Sequence, residues 1–144
     1  MEKKFKLTDE ILVVDGKTLY RIKALKDFSD VKKGEKGGYV EKESNLSQYG
    51  DCWVYHDAMV YDNAEIYGDA VVGDNAKVWM DAKVSGNAKV YYNAKVYGNA
   101  EVYGHAFILH DAEVYGDALV FGNAEVFGGA KVYGYAKVLD FAEV

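Results

Sequence analysis

Three histidines, one cysteine and a surplus of carboxylates are the groups in this chain that could do chemistry. A histidine can act as general base or metal ligand, a cysteine as nucleophile, and paired carboxylates as acid and base. Spacing decides whether they converge. In the six-residue unit that fills most of the chain, His105 takes a slot otherwise held by Asn or Asp. His56 and His110 take a slot often held by Gly. Both slots mark corners, where side chains face solvent, so the three read as surface histidines. Cys52 stands in an alanine slot and reads as a small buried hydrophobe. No Ser/His/Asp or Cys/His arrangement, phosphate-cradling glycine loop or spaced metal cluster is present. The carboxylates recur with the repeat instead of meeting in a cleft. The expectation is no catalytic residue, no metal and no cofactor.

The elements that position these groups follow from one regularity. Alanine recurs at every sixth residue from Ala58 to Ala142, and an aliphatic residue follows each two places later, giving fifteen consecutive units without insertion. Cys52 and Val54 continue the register upstream. A helix needs apolar spacings of three and four, which this pattern lacks. Ala and the aliphatic residues share one parity, so an extended segment points them to the same side. The residues between and after them, such as Lys95 and Tyr97, point the other way. Gly-Asn or Gly-Asp then breaks the strand at a corner where positive φ is cheap. A short strand and a corner every six residues make a hexapeptide solenoid.

The pattern aliphatic-x-x-x-small-x resembles the left-handed parallel β-helix family. That resemblance implies triangular coils of three units, about eighteen residues each. The predicted fold is all-β: a left-handed parallel β-helix of about five coils over residues 51–144, with a small β-rich cap over residues 1–50. With strands stacked at roughly 4.8 Å, His56 and His110 share a corner but lie roughly 14 Å apart, too far to pair or to hold one metal ion.

The first fifty residues have a different grammar. Phe5–Leu7, Ile11–Val14 and Leu19–Leu25 read as short strands, and Asp15-Gly16 is a hairpin signal. Then come Asp27-Phe28, Asp30-Val31, Gly34, Gly37-Gly38-Tyr39-Val40, Leu46-Ser47-Gln48 and Gly50-Asp51-Cys52-Trp53. Together they resemble the N-terminal signature of the YdcK-like hexapeptide-repeat proteins. That family occurs in bacteria and in phage or prophage genomes, and its members are often labelled acyltransferases or polymer-forming proteins. The resemblance covers about residues 5–56 and implies a fold, not a reaction. Acyltransferases of this class use a histidine between trimer subunits, an extruded loop and a C-terminal helix. No loop interrupts Ala58–Val144, and no helix pattern follows.

Sorting the outward slots by eighteen separates three faces. The first carries an unbroken ladder of Tyr61, Trp79, Tyr97, Tyr115 and Tyr133. The second carries Tyr67, Ser85, Tyr103, Phe121 and Leu139, and the third Tyr55, Gly73, Tyr91, Leu109 and Phe127. Stacking between rungs accounts for part of this; a flat aromatic strip also suits a protein partner or a sugar chain. In the last units Tyr135 and Phe141 replace Asn or Asp, and Leu139 replaces Tyr. They either fold over the end or, with Val144, form a self-association contact. The expectation is a tail-to-tail homodimer, because the cap blocks head-to-tail growth.

Composition narrows the classes. The net charge is −6 and proline is absent, which suits a ladder that needs every N–H. Residues 51–144 carry six Lys against fourteen Asp/Glu and no Arg. An acidic, Arg-free solenoid argues against nucleic-acid binding. No apolar stretch is long enough to span a membrane, and the start MEKKFKLTDE lacks a signal-peptide core, so a cytoplasmic protein is expected. The sequence reads as a non-enzymatic, rigid interaction or self-association module that binds an unidentified protein partner through the Tyr61–Tyr133 face or the C-terminal end. The alternatives are a hexapeptide-repeat acyltransferase and a glycan-binding rod.

Overall fold

The computed structural model describes residues 2–144. Each unit forms a two-residue rung, and three rungs close one coil. On the first face Met59–Val60, Lys77–Val78, Lys95–Val96, Glu113–Val114 and Lys131–Val132 pair in parallel. The second face stacks Glu65–Ile66 through Lys137–Val138, and the third Trp53–Val54 through Glu125–Val126. The alternation of the sequence becomes inside and outside. The alanine slots from Ala58 to Ala124 and the aliphatic slots from Val54 to Val126 are closed to solvent. Each buried valine contributes about 1.5–2 kcal/mol of apolar transfer, so stability accumulates coil by coil. Val132 and Val138, in the last coil, are slightly exposed.

Corners take positive φ at Gly68, Gly86 and Gly104, and equally at His56, Asp62, Asp74, Met80, Tyr92 and His110. Where a carboxylate or an imidazole stands there, it can accept the amide of the corner residue one coil on. Asp62 accepts from Met80, Asp74 from Tyr92, His56 from Asp74 and His110 from Gly128. These bonds offset the cost of a left-handed non-glycine residue.

The N-terminal residues close the other end. Strand β1 (Phe5–Val14) and strand β2 (Lys17–Ala24) form an antiparallel hairpin. The two segments expected before the turn are one strand, with an irregularity between Leu7 and Ile11. Asp15 and Gly16 both have positive φ, as a tight hairpin turn requires. Strand β3 (Lys36–Val40) pairs antiparallel with β2 and parallel with Met59–Val60. The hairpin therefore extends the first face to eight strands and covers its edge. Gly37 and Gly38 permit this join: an added Cβ would lie 2.5 Å from the Val54 carbonyl oxygen at Gly37 and 2.6 Å from that of Ala58 at Gly38. Parallel pairing starts upstream of residue 51, so the solenoid has about six turns, not the five expected.

One arginine fastens hairpin to solenoid. Arg21 donates from Nε to Glu10, from Nη1 to the carbonyls of Gly37 and His56, and from Nη2 to Tyr39 and Asp57. Its guanidinium also lies 4.3 Å from the Tyr39 ring centroid. On the second face, Leu46 bridges to Ile66 in parallel. On the third, Phe5 and Phe28 pack edge-on against Trp53. No helix among the described residues is long and apolar enough to cross a membrane.

Candidate functional site

The aromatic ladder of the first face forms as expected. Ring centroids lie 5.9 Å apart for Tyr61–Trp79, 4.4 Å for Trp79–Tyr97, 4.9 Å for Tyr97–Tyr115 and 5.4 Å for Tyr115–Tyr133, with all planes within 15° of parallel. Two consequences follow from this geometry. Tyr61 is only 3% exposed, packed with Leu19 and Tyr39 under the hairpin, so the accessible ladder begins at Trp79. The ring faces of Trp79, Tyr97 and Tyr115 are covered by their neighbours. A ligand on this stretch of the face meets ring edges. Tyr97 donates its hydroxyl to Glu113 at 2.8 Å; burial and that carboxylate push its pKa up to about 12. Tyr55, on the third face, is held above its ordinary range by burial and by its bond to Asp30. The middle slots of the second face place Lys83 between Glu65 and Glu101 in register, yet none of them closes an ion pair among the described residues.

The last coil gathers the exposed apolar groups. Of twelve large apolar side chains exposed among the described residues, six lie in it: Phe127, Tyr133, Tyr135, Leu139, Phe141 and Val144. Tyr135 is 84% exposed and Phe141 78%, so neither folds over the core. Both stand in the Asn/Asp corner slot, which is exposed in every coil. Their outward position therefore belongs to the slot itself.

The histidines divide. His56 and His110 accept backbone amides through Nδ1, and Tyr92 packs its ring 5.0 Å from that of His110. Both act as corner caps. His105 makes no side-chain hydrogen bond among the described residues and lines a groove of about 680 Å3 with Lys89, Phe107, Glu125 and Phe141. No group of three or more His, Cys, Asp or Glu among the described residues could hold a metal ion.

Cys52 is buried, but it is more than a hydrophobe. The ammonium of Lys4, itself buried, donates to the carbonyls of Gly50 and Cys52 and lies 3.3 Å from Sγ. Burial pushes the Lys4 amine down and the Cys52 thiol up, while each group's charge draws the other back. Nothing in the repeat grammar announces Lys4, because the residues before the solenoid follow no period.

A second cavity sits at the first corner and was not foreseen. Tyr39 pairs with Met59 and Leu46 with Ile66, a spacing of twenty, whereas Trp53 pairs with Val71, a spacing of eighteen. The corner between Leu46 and Trp53 thus carries two extra residues. It bulges around a cavity of about 670 Å3 lined by Glu43, Ser44, Leu46, Tyr49, Glu65 and Tyr67, among others. The slip in register was the available signal: Tyr49 and Tyr67 are eighteen apart, but the inward Leu46 does not fit the same count.

No known family model matches the chain. Among curated proteins, 37 residues, 26% of this chain, are 46% identical to a protein named "Uncharacterized acetyltransferase YdcK" from Escherichia coli (strain K12), and they span 11% of that protein. The stacked six-residue units and this segment of similarity make the chain a hexapeptide-repeat β-solenoid that is similar to YdcK over about a quarter of its own length.

Proposed function

We propose that this solenoid is a rigid interaction module whose contact surface is the aromatic last coil, and that its partner there is a second copy of the chain. The observation that carries the reading is the pair Tyr135 and Phe141, aromatic side chains held outward in a slot that is polar in most coils. Exposed apolar groups gathered in this way mark association surfaces. The hairpin and the bulged corner cover the opposite end, which favours a closed tail-to-tail dimer over a growing filament. A different protein partner would use the same surface and the edges of Trp79, Tyr97 and Tyr115.

Light scattering over a wide concentration range tests the reading. The intact chain gives the mass of a dimer, and Tyr135→Asn with Phe141→Asn gives a monomer. Those substitutions restore the usual residue of the slot, so the fold is kept. A monomeric intact chain at every concentration refutes self-association.

A second reading is favoured by one observation, the similarity to a protein named an acetyltransferase. In it His105, the histidine free of backbone capping, serves as base in the groove beside Phe107 and Glu125. Calorimetry with acetyl-CoA separates the two: saturable binding lost in His105→Ala supports acyl transfer, and no heat rejects it.

A further inference from the structure

The bulged first corner leaves its exposed aromatics without stacking partners among the described residues. Along the second face the register sets Ser47 above Tyr67 and Ser85 below it. Tyr67 therefore has no aromatic neighbour on either side, whereas Tyr103 and Phe121 further along stack at 4.9 Å. Tyr67 is 41% exposed and Tyr49 68%, and both border the cavity. Leu46 and Ile66, buried beneath, give it an apolar floor. The rim offers the Ser44 hydroxyl and the Glu65 carboxylate, which has no ion-pair partner among the described residues. The corner is held in shape by Gln48. Its Oε1 accepts the amides of Lys4 and Phe5, and its Nε2 donates to the Phe5 carbonyl and to Glu43. A pocket fixed in advance loses little entropy on binding.

We infer that this corner cavity is a carbohydrate-binding subsite that takes a neutral or amino-substituted pyranose. A sugar ring presents an apolar C–H face and a rim of hydroxyls. The cavity matches the first with unstacked tyrosine faces and the second with a hydroxyl and carboxylates. The charge balance selects within the class. The charged residues lining the cavity are Glu43, which pairs with Lys3 at 3.1 Å, and the unpaired Glu65, with no Lys or Arg among them. An acidic sugar meets like charge there, and an amino sugar meets opposite charge. Along the ladder of the first face the rings of Trp79, Tyr97 and Tyr115 are covered on both sides by their neighbours and cannot supply this mode of binding. The site is independent of the last coil and of any self-association there.

The test uses the full chain and four probes: glucose, glucosamine, glucuronate and choline, followed by NMR chemical-shift changes and saturation transfer. Glucose and glucosamine should bind with dissociation constants on the order of 1 mM, glucosamine tighter, and glucuronate at least tenfold weaker. Tyr67→Ser, which extends the serine column, should weaken both by tenfold or more with an unchanged circular dichroism spectrum. Glu65→Gln should remove the preference for glucosamine and leave glucose binding intact. Tyr103→Ser should change neither. Binding of choline without glucose would make this a cation site and overturn the inference. So would equal binding of glucuronate, sugar binding that survives Tyr67→Ser, or no binding of any probe.

Discussion

Replacing Arg21 should detach the hairpin from the solenoid while leaving the distant coils folded. All five guanidinium N–H groups are used, at donor–acceptor distances from 2.7 to 3.1 Å. The bonds to the Gly37 and His56 carbonyls and to the Tyr39 hydroxyl are charge-assisted, and each contributes on the order of 1 kcal/mol net. The Glu10 and Asp57 pairs have exposed carboxylates and add little. The stack on Tyr39 adds about 0.5–1 kcal/mol. Allowing for non-additivity within one network, Arg21→Ala should cost about 3–4 kcal/mol. Lysine cannot form the fork, so Arg21→Lys should recover about half of that loss or less. Urea unfolding gives the totals, and hydrogen exchange locates them. Protection should fall across residues 5–40 and at Tyr61, which the hairpin covers, and persist from Lys95 onward, because each coil couples to its neighbours. An Arg21→Ala protein within about 1 kcal/mol of the parent, or a lysine variant equal to arginine, would refute the fastening role assigned here.

Three further outcomes follow from the coils themselves. Val96→Asp puts an unpaired charge where no solvent reaches and should cost about 4 kcal/mol or more, read as a collapse of the urea midpoint or an insoluble product. Asp74→Ala keeps positive φ but loses the bond to the Tyr92 amide, costing about 1–2 kcal/mol, whereas Asp74→Gly relieves the backbone and should stay within about 0.5 kcal/mol of the parent; equal losses in thermal unfolding would remove the capping role. The Tyr97 phenol keeps its proton up to about pH 12 in the folded state but loses it near 10 when unfolded. Its contribution to stability is therefore complete below pH 10 and lost as pH rises through about 12. Ultraviolet titration should show one fewer late tyrosinate in Tyr97→Phe, with that of Tyr55 still present, and Glu113→Gln should lower the Tyr97 midpoint.

How much was legible depended on whether residues obey the repeat. Ala58 through Val144 state their own inside and outside, so the core could be read directly, while the eighteen-residue coil, and the ladder that follows from it, came from the resemblance to left-handed β-helices. Asp15-Gly16 likewise announced its hairpin, since positive φ at both positions restricts the residue choice. The burial of Tyr61, the fork of Arg21 and the buried Lys4 could not be read. Each depends on where an aperiodic cap lands on a periodic surface, and no local spacing encodes that. The bulged corner was half legible. Ser47 to Asp51 break the count by two residues, but only the pairing of Leu46 with Ile66 shows on which side of the break the extra residues fall.

The proposal that the last coil is a contact surface between copies is tested most directly by hydrogen exchange at low and high protein concentration. Protection that rises with concentration across residues 127–144, and is absent from Tyr135→Asn with Phe141→Asn, is the predicted result. Exchange that ignores concentration, or a gain of protection confined to Trp79, Tyr97 and Tyr115, would contradict it.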